Sequence, residues 1–94
     1  MNTQEFRNKA HKIVDDVTMQ IEKLQQKKAE NNGQLGGKYN EKLLQLQRQK
    51  EDLKLRYEKL KNASMENFEE MKMAFNKSAS HFKSGFAELE KLIK

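Results

Sequence analysis

Apolar residues recur along the chain at steps of three and four positions, which is the spacing of residues on one face of an α-helix. At 100° per residue, these positions fall within a sector of about 120° around the helix axis. The residues of this apolar stripe are Phe6, Ala10, Ile13, Val17, Ile21, Leu24, Leu35, Tyr39, Leu43, Leu46, Leu53, Tyr57, Leu60, Phe68, Met71, Phe75, Ala79, Phe82, Phe86, Leu89 and Ile93. The stripe predicts amphipathic helices that bury one face along most of the chain.

One segment clearly interrupts the stripe. Residues 31–37 read NNGQLGG and contain three of the four glycines. Asn and Gly tolerate left-handed backbone conformations and terminate helices. We therefore predict a first helix over about residues 3–31, a turn over about 32–37, and a second helix that begins near residue 38.

A second candidate break lies near residues 62–66. Ser64 could cap a third helix that would carry Glu66 in its first turn. The phase of the stripe favours continuity instead, because Leu60 and Phe68 lie at about 240° and 320° on one helical wheel. We favour a second helix over about 38–94, and a break near residues 62–66 is the alternative.

The two predicted helices differ in length, at about 43 Å and about 85 Å. A first helix that folds back on the second reaches only about residue 66, which leaves the Phe-rich last third of the chain uncovered. The predicted core or self-association residues of this third are Phe68, Met71, Phe75, Phe82, Phe86 and Leu89. The predicted fold class is all-α: a long antiparallel helical hairpin or coiled coil that self-associates, with a dimer favoured, or else a three-helix bundle that turns near residues 62–66.

Three further apolar residues lie on the side opposite the stripe, at about 80–100° on the wheel. They are Leu44, Leu55 and Met73. Single exposed apolar residues are common on protein surfaces. On a continuous second helix, however, these three form a thin second seam that could contact another chain.

The composition agrees with a single helical coiled-coil domain over residues 1–94. The chain has no proline and no cysteine, and 35% of its residues are charged. The absence of cysteine excludes disulfides and thiol catalysis, and the shortage of turn residues argues against sheets. The net charge of +5 comes mainly from residues 33–62, whose cations surround the predicted helix without forming a stripe. We therefore predict a solvated surface rather than a strong nucleic-acid or membrane site.

Sequence motifs of phosphate-binding, metal-binding and catalytic sites are incomplete in this chain. Residues 33–39, GQLGGKY, lack the first glycine, the Ser or Thr, and the preceding strand of a phosphate-binding loop. His11 and Asp15 lie one helical turn apart, but further metal ligands are missing. Adjacent acids such as Glu69 and Glu70 diverge by about 100° on a helix and cannot share a proton. We predict neither an enzyme nor a bound metal or cofactor.

The expected location of the chain is the cytoplasm. The first residues show neither the basic start nor the apolar run of a secretory signal. The sequence also has no apolar stretch near the roughly 20 residues that a membrane span requires.

Residues 60–78 read LKNASMENFEEMKMAFNKS. The stretch from Leu60 to Phe86 resembles a family of small uncharacterised bacterial coiled-coil proteins with the pattern AS-x-E-x-[WF]-EE-[LM]-K-x-[GA]-F. Phe68 stands where this family often has Trp, Ala79 stands where it commonly has a second aromatic residue, and the Gly36-Gly37 pair replaces a charged linker. The resemblance covers about a third of the chain, and it implies a cytoplasmic helical protein without catalytic residues.

These observations predict a non-enzymatic structural or protein-interaction module that works through its apolar helical seam. The expected partners are a second copy of the chain or another protein. The alternative is weak binding to a lipid surface or to nucleic acid by an amphipathic basic helix, because the Phe-rich third also resembles an interfacial helix. The zero net charge of residues 63–94 argues against the lipid alternative.

Overall fold

The computed structural model describes residues 3–30 and 36–92 of the chain. It contains three helices, α1 (Thr3–Glu30), α2 (Gly37–Lys61) and α3 (Phe68–Leu92), and the described residues include no strand. The all-α prediction is confirmed. The arrangement is the three-helix bundle that the sequence offered as the alternative, and α2 packs along both of the other helices.

The three helices run up, down and up. At one end of the bundle, Arg7 of α1 contacts the last turn of α2. At the other end, the Tyr39 hydroxyl of α2 donates a buried hydrogen bond of 2.8 Å to the carbonyl of Leu24 in α1. Ser78 of α3 pairs with Asp52 of α2 near the middle of both helices. Because α2 is antiparallel to each neighbour, α1 and α3 run parallel to one another.

The start of α2 depends on a glycine. Gly36 has a φ of 93°, which residues with a side chain rarely adopt, and its carbonyl accepts the first helical hydrogen bond, from the N–H of Asn40. The helix itself begins at Gly37, one residue before the predicted start. Most of the predicted turn, together with the predicted last residue of the first helix, falls on residues 31–35, which lie outside the described part of the chain.

The favoured continuous helix over residues 38–94 does not form, because α2 ends at Lys61 and α3 begins at Phe68. Asn62 closes α2 with two hydrogen bonds to the carbonyl of Glu58, one from its backbone N–H at 3.1 Å and one from its side-chain amide at 3.0 Å. The third helix begins four residues later than Ser64, which the sequence suggested as its cap.

The phase of the stripe across this turn does not show that the helix continues. Leu60 at the end of α2 and Phe68 at the start of α3 are both buried, because each helix directs its own apolar sector toward the same core. Residues 62–67 are not helical, so the angle between Leu60 and Phe68 on one helical wheel has no structural meaning. The phase therefore reports which face is buried, but it does not report whether the helix continues.

Arg7 stabilises the turn between α2 and α3 from outside that hairpin. Its Nε donates to the carbonyl of Leu60 at 3.4 Å, and its Nη2 donates to the carbonyl of Ala63 at 3.2 Å. Its guanidinium carbon also lies 5.4 Å from the centre of the Phe68 ring. The last carbonyls of a helix have no donor within the helix and carry partial negative charge. Arg7 adds a second donor to the carbonyl of Leu60, which also accepts a hydrogen bond of 3.3 Å from the N–H of Ala63, and it brings a positive charge to this end of α2.

One apolar core runs the length of the bundle. Its buried residues are Phe6, Ala10, Val14, Val17, Ile21, Leu24, Tyr39, Leu43, Leu46, Leu53, Leu60, Phe68, Phe75, Phe82 and Leu89. At one end, the ring of Phe6 meets the rings of Phe68 and Phe75 edge to face, with centres 6.1 Å apart in each case. Such pairs add about 0.5–1.5 kcal/mol to the stability that comes from burying the rings. This aromatic cluster joins α1 to α3.

A polar cluster lies at the interface between α2 and α3. The buried hydroxyl of Ser78 donates to Asp52 Oδ2 at 3.0 Å, and Arg56 Nε donates to the same oxygen at 2.8 Å. The hydrogen bond from Arg56 is the main reason why the pKa of Asp52 is lowered, and Ser78 acts in the same direction. Hydrogen bonds are directional, so this cluster fixes how far α3 is shifted along α2.

None of the three described helices has a segment that is long and apolar enough to cross a membrane.

Candidate functional site

The Phe-rich face that the sequence assigned to self-association or to a core lies mainly inside one chain. Phe68, Phe75, Phe82 and Leu89 are buried in the bundle, whereas Met71 and Phe86 are only partly buried. The bundle itself covers most of this face, so burial of these residues does not require a second chain. On this face of α3, Met71 and Phe86 remain partly accessible to a partner.

A groove of about 510 Å³ lies between α1 and α3. These two parallel helices approach each other closely at few positions, since both pack mainly on α2. Beyond the aromatic cluster formed by Phe6, the side chains of Ala79 and Ser80 are small and do not fill the space between the helices. The α1–α3 groove thus remains open along the middle of the bundle.

The floor of the α1–α3 groove is apolar. The floor residues are Ile13 and Val17 from α1, and Ala79, Phe82 and Phe86 from α3. Val17 and Phe82 belong to the core, and the other three are partly buried residues that pack against it. An apolar surface continuous with the core, and open to solvent, is a suitable binding site for another helix.

The rims of the α1–α3 groove are polar and carry opposite charges. Asp16 and Gln20 lie on the α1 rim, and Ser80 and Lys83 lie on the α3 rim. Asp16 and Lys83 are both exposed, and neither forms an ion pair within the described residues. Each charge is therefore available to a partner that covers the groove.

The structure does not place the three residues of the predicted second seam on one helix. Leu44, Leu55 and Met73 are 50%, 56% and 71% exposed. Leu44 and Leu55 are three turns apart on α2, which separates them by about 16 Å, and Met73 lies on α3. A contact between this seam and another chain stays a prediction, and the three residues are spread over two helices.

A second groove, of about 480 Å³, lies where the start of α2 meets the end of α3. Its charged residues are Lys38, Glu41, Lys42, Glu88 and Lys91. The ammonium group of Lys42 binds the carboxylate of Glu88 and thereby lowers the pKa of that carboxyl group. Because acids accompany the cations, this groove offers no concentrated positive charge for a phosphate group.

The residues considered above as metal ligands or as a phosphate-binding loop do not form a common site. His11 Nδ1 lies 3.4 Å from Asp15 Oδ2 on an exposed part of α1, and the His11 ring contacts the ring of Tyr57. Within residues 3–30 and 36–92, no group of three or more His, Asp or Glu side chains could hold a metal ion. Gly33, which opens the glycine-rich segment compared above with a phosphate loop, lies outside the described residues.

Sequence reasoning missed three residues that position the helices around the groove: Arg7, Ser78 and Gly85. Ser78 and Gly85 lie at about 240° and 220° on the helical wheel, within the apolar sector. Small residues inside that sector were a usable sign of close helix packing. Arg7 offered no such sign, because its hydrogen-bond partners are 53 and 56 residues away in sequence.

Comparisons with known proteins return no match: no family model, no curated protein and no solved structure is significantly similar to this chain. The resemblance noted for residues 60–86 therefore stays a prediction, and the bundle and its groove are the basis for a functional proposal.

Proposed function

We propose that this chain is a non-enzymatic protein-interaction module that binds an amphipathic helix in its α1–α3 groove. The observation that carries the proposal is the apolar floor of that groove, where Ile13, Ala79 and Phe86 are only partly covered by their own chain. Recognition of a helix in an apolar groove is a common mode of protein binding.

The geometry of the bundle supports a helical occupant. A helix laid between α1 and α3 would become the fourth member of a four-helix bundle, with its apolar side on the floor and its polar side in solvent. The rims, with Asp16 on one side and Lys83 on the other, would contact the flanks of that helix. Burial of Phe86 and Ile13 would provide most of the favourable free energy, because charged pairs at exposed rims contribute little.

The lipid or nucleic-acid alternative has less support. Binding to lipid would use the Phe-rich face of α3, but Phe75 and Phe82 of that face are buried in the core. Of the cations on α2, Lys42 and Arg56 are engaged with acids of the same chain. A surface of this kind favours neither a bilayer nor a phosphate backbone.

Site-specific photocrosslinking tests the proposal. The photoreactive amino acid p-benzoylphenylalanine is placed at Gln20 on the groove rim, and in a control variant at Glu22, which lies two residues along α1 and does not line the groove. We expect irradiation of cells that produce the full chain to give a polypeptide adduct from position 20 and none from position 22. Absence of an adduct at position 20, or equal adducts at both positions, would contradict the proposal.

Substitution of the groove floor supplies an independent test. In the position-20 crosslinking variant, Phe86→Asp places a charge on the floor and should abolish the adduct, whereas Leu55→Asp on the exposed face of α2 should leave it unchanged. Circular dichroism of both variants checks that the bundle still folds. Survival of the adduct in a folded Phe86→Asp variant would show that the partner binds elsewhere.

A further inference from the structure

We propose that the partner in the α1–α3 groove is a second copy of this chain. The two copies form a parallel two-fold dimer in which Asp16 of each copy faces Lys83 of the other. This inference rests on the proposed function of the groove as a helix-binding surface, and it identifies the α1 and α3 helices of a second copy as the helices that cover it. The supporting evidence is the placement of opposite charges on the two rims and the direction of the two helices.

Asp16 and Lys83 lie at nearly the same level of the bundle. Phe6 contacts both Phe68 and Phe75, so Phe6 is level with the stretch between these two residues. Because α1 and α3 run in the same direction, Asp16, ten residues after Phe6, is level with about residue 82. Lys83 is therefore within about 2–3 Å of the same height, on the opposite rim of the groove.

A two-fold axis parallel to the helices makes these charges complementary between copies. Rotation about that axis brings α1 of one copy against α3 of the other, and it does so twice because the interface is symmetric. Asp16 of each copy then meets Lys83 of its partner. An antiparallel pair centred at the same level would instead bring like charges together, Asp16 against Asp16 and Lys83 against Lys83.

The parallel dimer also covers the apolar floor of the groove. The two grooves face each other, and two α1 helices and two α3 helices surround a shared core. Ile13, Ala79 and Phe86 of each copy lie toward that core. Four helices around one apolar core are a stable way to pack amphipathic helices, and the dimer provides them as two helices from each copy, without another protein.

Sedimentation equilibrium with charge-reversal variants tests the inference. The wild-type chain is studied from about 1 to 500 μM at low salt. We expect a reversible dimer of twice the chain mass of 11.1 kDa. Asp16→Lys alone and Lys83→Asp alone should each raise the dimer dissociation constant about tenfold, because both symmetric pairs then become repulsive.

Mixing the two variants is the decisive measurement. An equimolar mixture of Asp16→Lys and Lys83→Asp chains should recover the wild-type dissociation constant as a heterodimer, since both contacts again pair opposite charges. The Asp16→Lys/Lys83→Asp double variant should recover it as a homodimer. Glu22→Lys on α1 and Lys77→Asp on α3 are matched controls outside the groove, and they should leave the dissociation constant unchanged.

The possible outcomes separate this inference from the proposed function. A monomeric wild-type chain over the whole concentration range, or a mixture that recovers no affinity, overturns the second copy as partner. If crosslinking at Gln20 then gives an adduct with a different polypeptide, the groove still binds protein and only the identity assigned here is wrong. If crosslinking also fails, the proposed function fails with it.

Discussion

Gly85 of α3 and Leu46 of α2 lie so close that a Cβ atom on residue 85 would be 2.9 Å from Leu46 Cδ2. It would also be 3.2 Å from Gln49 Oε1. Glycine within a helix costs about 1 kcal/mol relative to alanine. Because α2 and α3 approach each other so closely, a side chain at residue 85 would clash with Leu46. This explains why glycine occupies the position despite its cost to the helix.

Gly85→Ala should therefore destabilise the bundle even though alanine is the better helix former. Overpacking of a core costs about 1–3 kcal/mol, which exceeds the gain in helix propensity, so we expect a net loss of up to about 2 kcal/mol. Urea unfolding measures the change. In a Leu46→Val background, which provides space for the new methyl group, Gly85→Ala should be neutral or stabilising. An equal loss in both backgrounds would mean that Leu46 is not the cause.

Phe82→Ala should lower stability strongly, because Phe82 is buried among residues of the core. Truncation of a buried phenylalanine costs about 3–5 kcal/mol. Leu55→Ala removes a side chain that is 56% exposed and should cost less than about 0.5 kcal/mol. Thermal and urea unfolding of the two variants gives the comparison. A large loss from Leu55→Ala would mean that α2 is packed on two faces.

Arg7→Met should destabilise the turn between α2 and α3, because the carbonyl of Ala63 loses the hydrogen bond from Arg7 and the carbonyl of Leu60 keeps only the one from the N–H of Ala63. Hydrogen bonds from charged groups contribute about 1.5–3 kcal/mol, and partial exposure of Arg7 places the expected loss at the lower end of that range. Arg7→Lys should restore only part of the stability, since an ammonium group lacks the planar fork of donors. Urea unfolding gives the loss, with the exposed Lys9→Met as the control. Full stability in Arg7→Lys would show that charge alone is sufficient.

The polar cluster of Asp52, Arg56 and Ser78 should make the free energy of unfolding depend on pH in the acidic range. The hydrogen bond from Arg56 lowers the pKa of Asp52 in the folded state below the value of about 3.9 in unfolded chains. The folded state then binds protons less readily, so this contribution is complete above the unfolded pKa and is lost as the pH falls through the folded pKa. We expect Asp52→Asn to reduce stability at pH 7 by less than about 1 kcal/mol, because the side chain is 45% exposed.

Urea unfolding between about pH 2 and pH 7 gives the difference between wild type and Asp52→Asn, which should shrink as the pH falls. Ser78→Ala is the control within the cluster. It removes the smaller of the two hydrogen-bond contributions to the pKa and should retain most of the pH dependence. A difference that grows in acid would have the wrong sign for a carboxyl group with a lowered pKa.

The sequence was sufficient to predict which side of each helix is buried. Phe75 and Phe82 lie near the middle of the apolar sector and are buried, whereas Leu55 lies opposite the sector and is exposed. Helical periodicity encodes this information directly, because burial of one face is the main requirement that the pattern satisfies. The break before residue 38 was also visible, since Gly36 needs a positive φ.

The rest depends on contacts between residues that are distant in sequence. The turn at residues 62–67 is held from α1 by Arg7, and no pattern near the turn records that interaction. The α1–α3 groove could not be predicted for a similar reason. Periodicity assigned Ile13 and Phe86 to a buried stripe, but the remaining exposure of these residues depends on the spacing of two helices that both pack on a third.

The order of the helices along the chain has a consequence for the path of folding. Tyr39 and Leu24 are 15 residues apart and Asp52 and Ser78 are 26 residues apart, whereas Arg7 and Ala63 are 56 residues apart. Contacts that close shorter loops cost less entropy and form earlier. We therefore expect the contacts within the α1–α2 and α2–α3 hairpins to form in the transition state, and the contacts from the start of α1 to the end of α2 to form afterwards. Substitutions at Gly85 would then change the folding rate, and substitutions at Arg7 would change the unfolding rate. The end of the bundle that Arg7 closes would be the last part to form and the first to open.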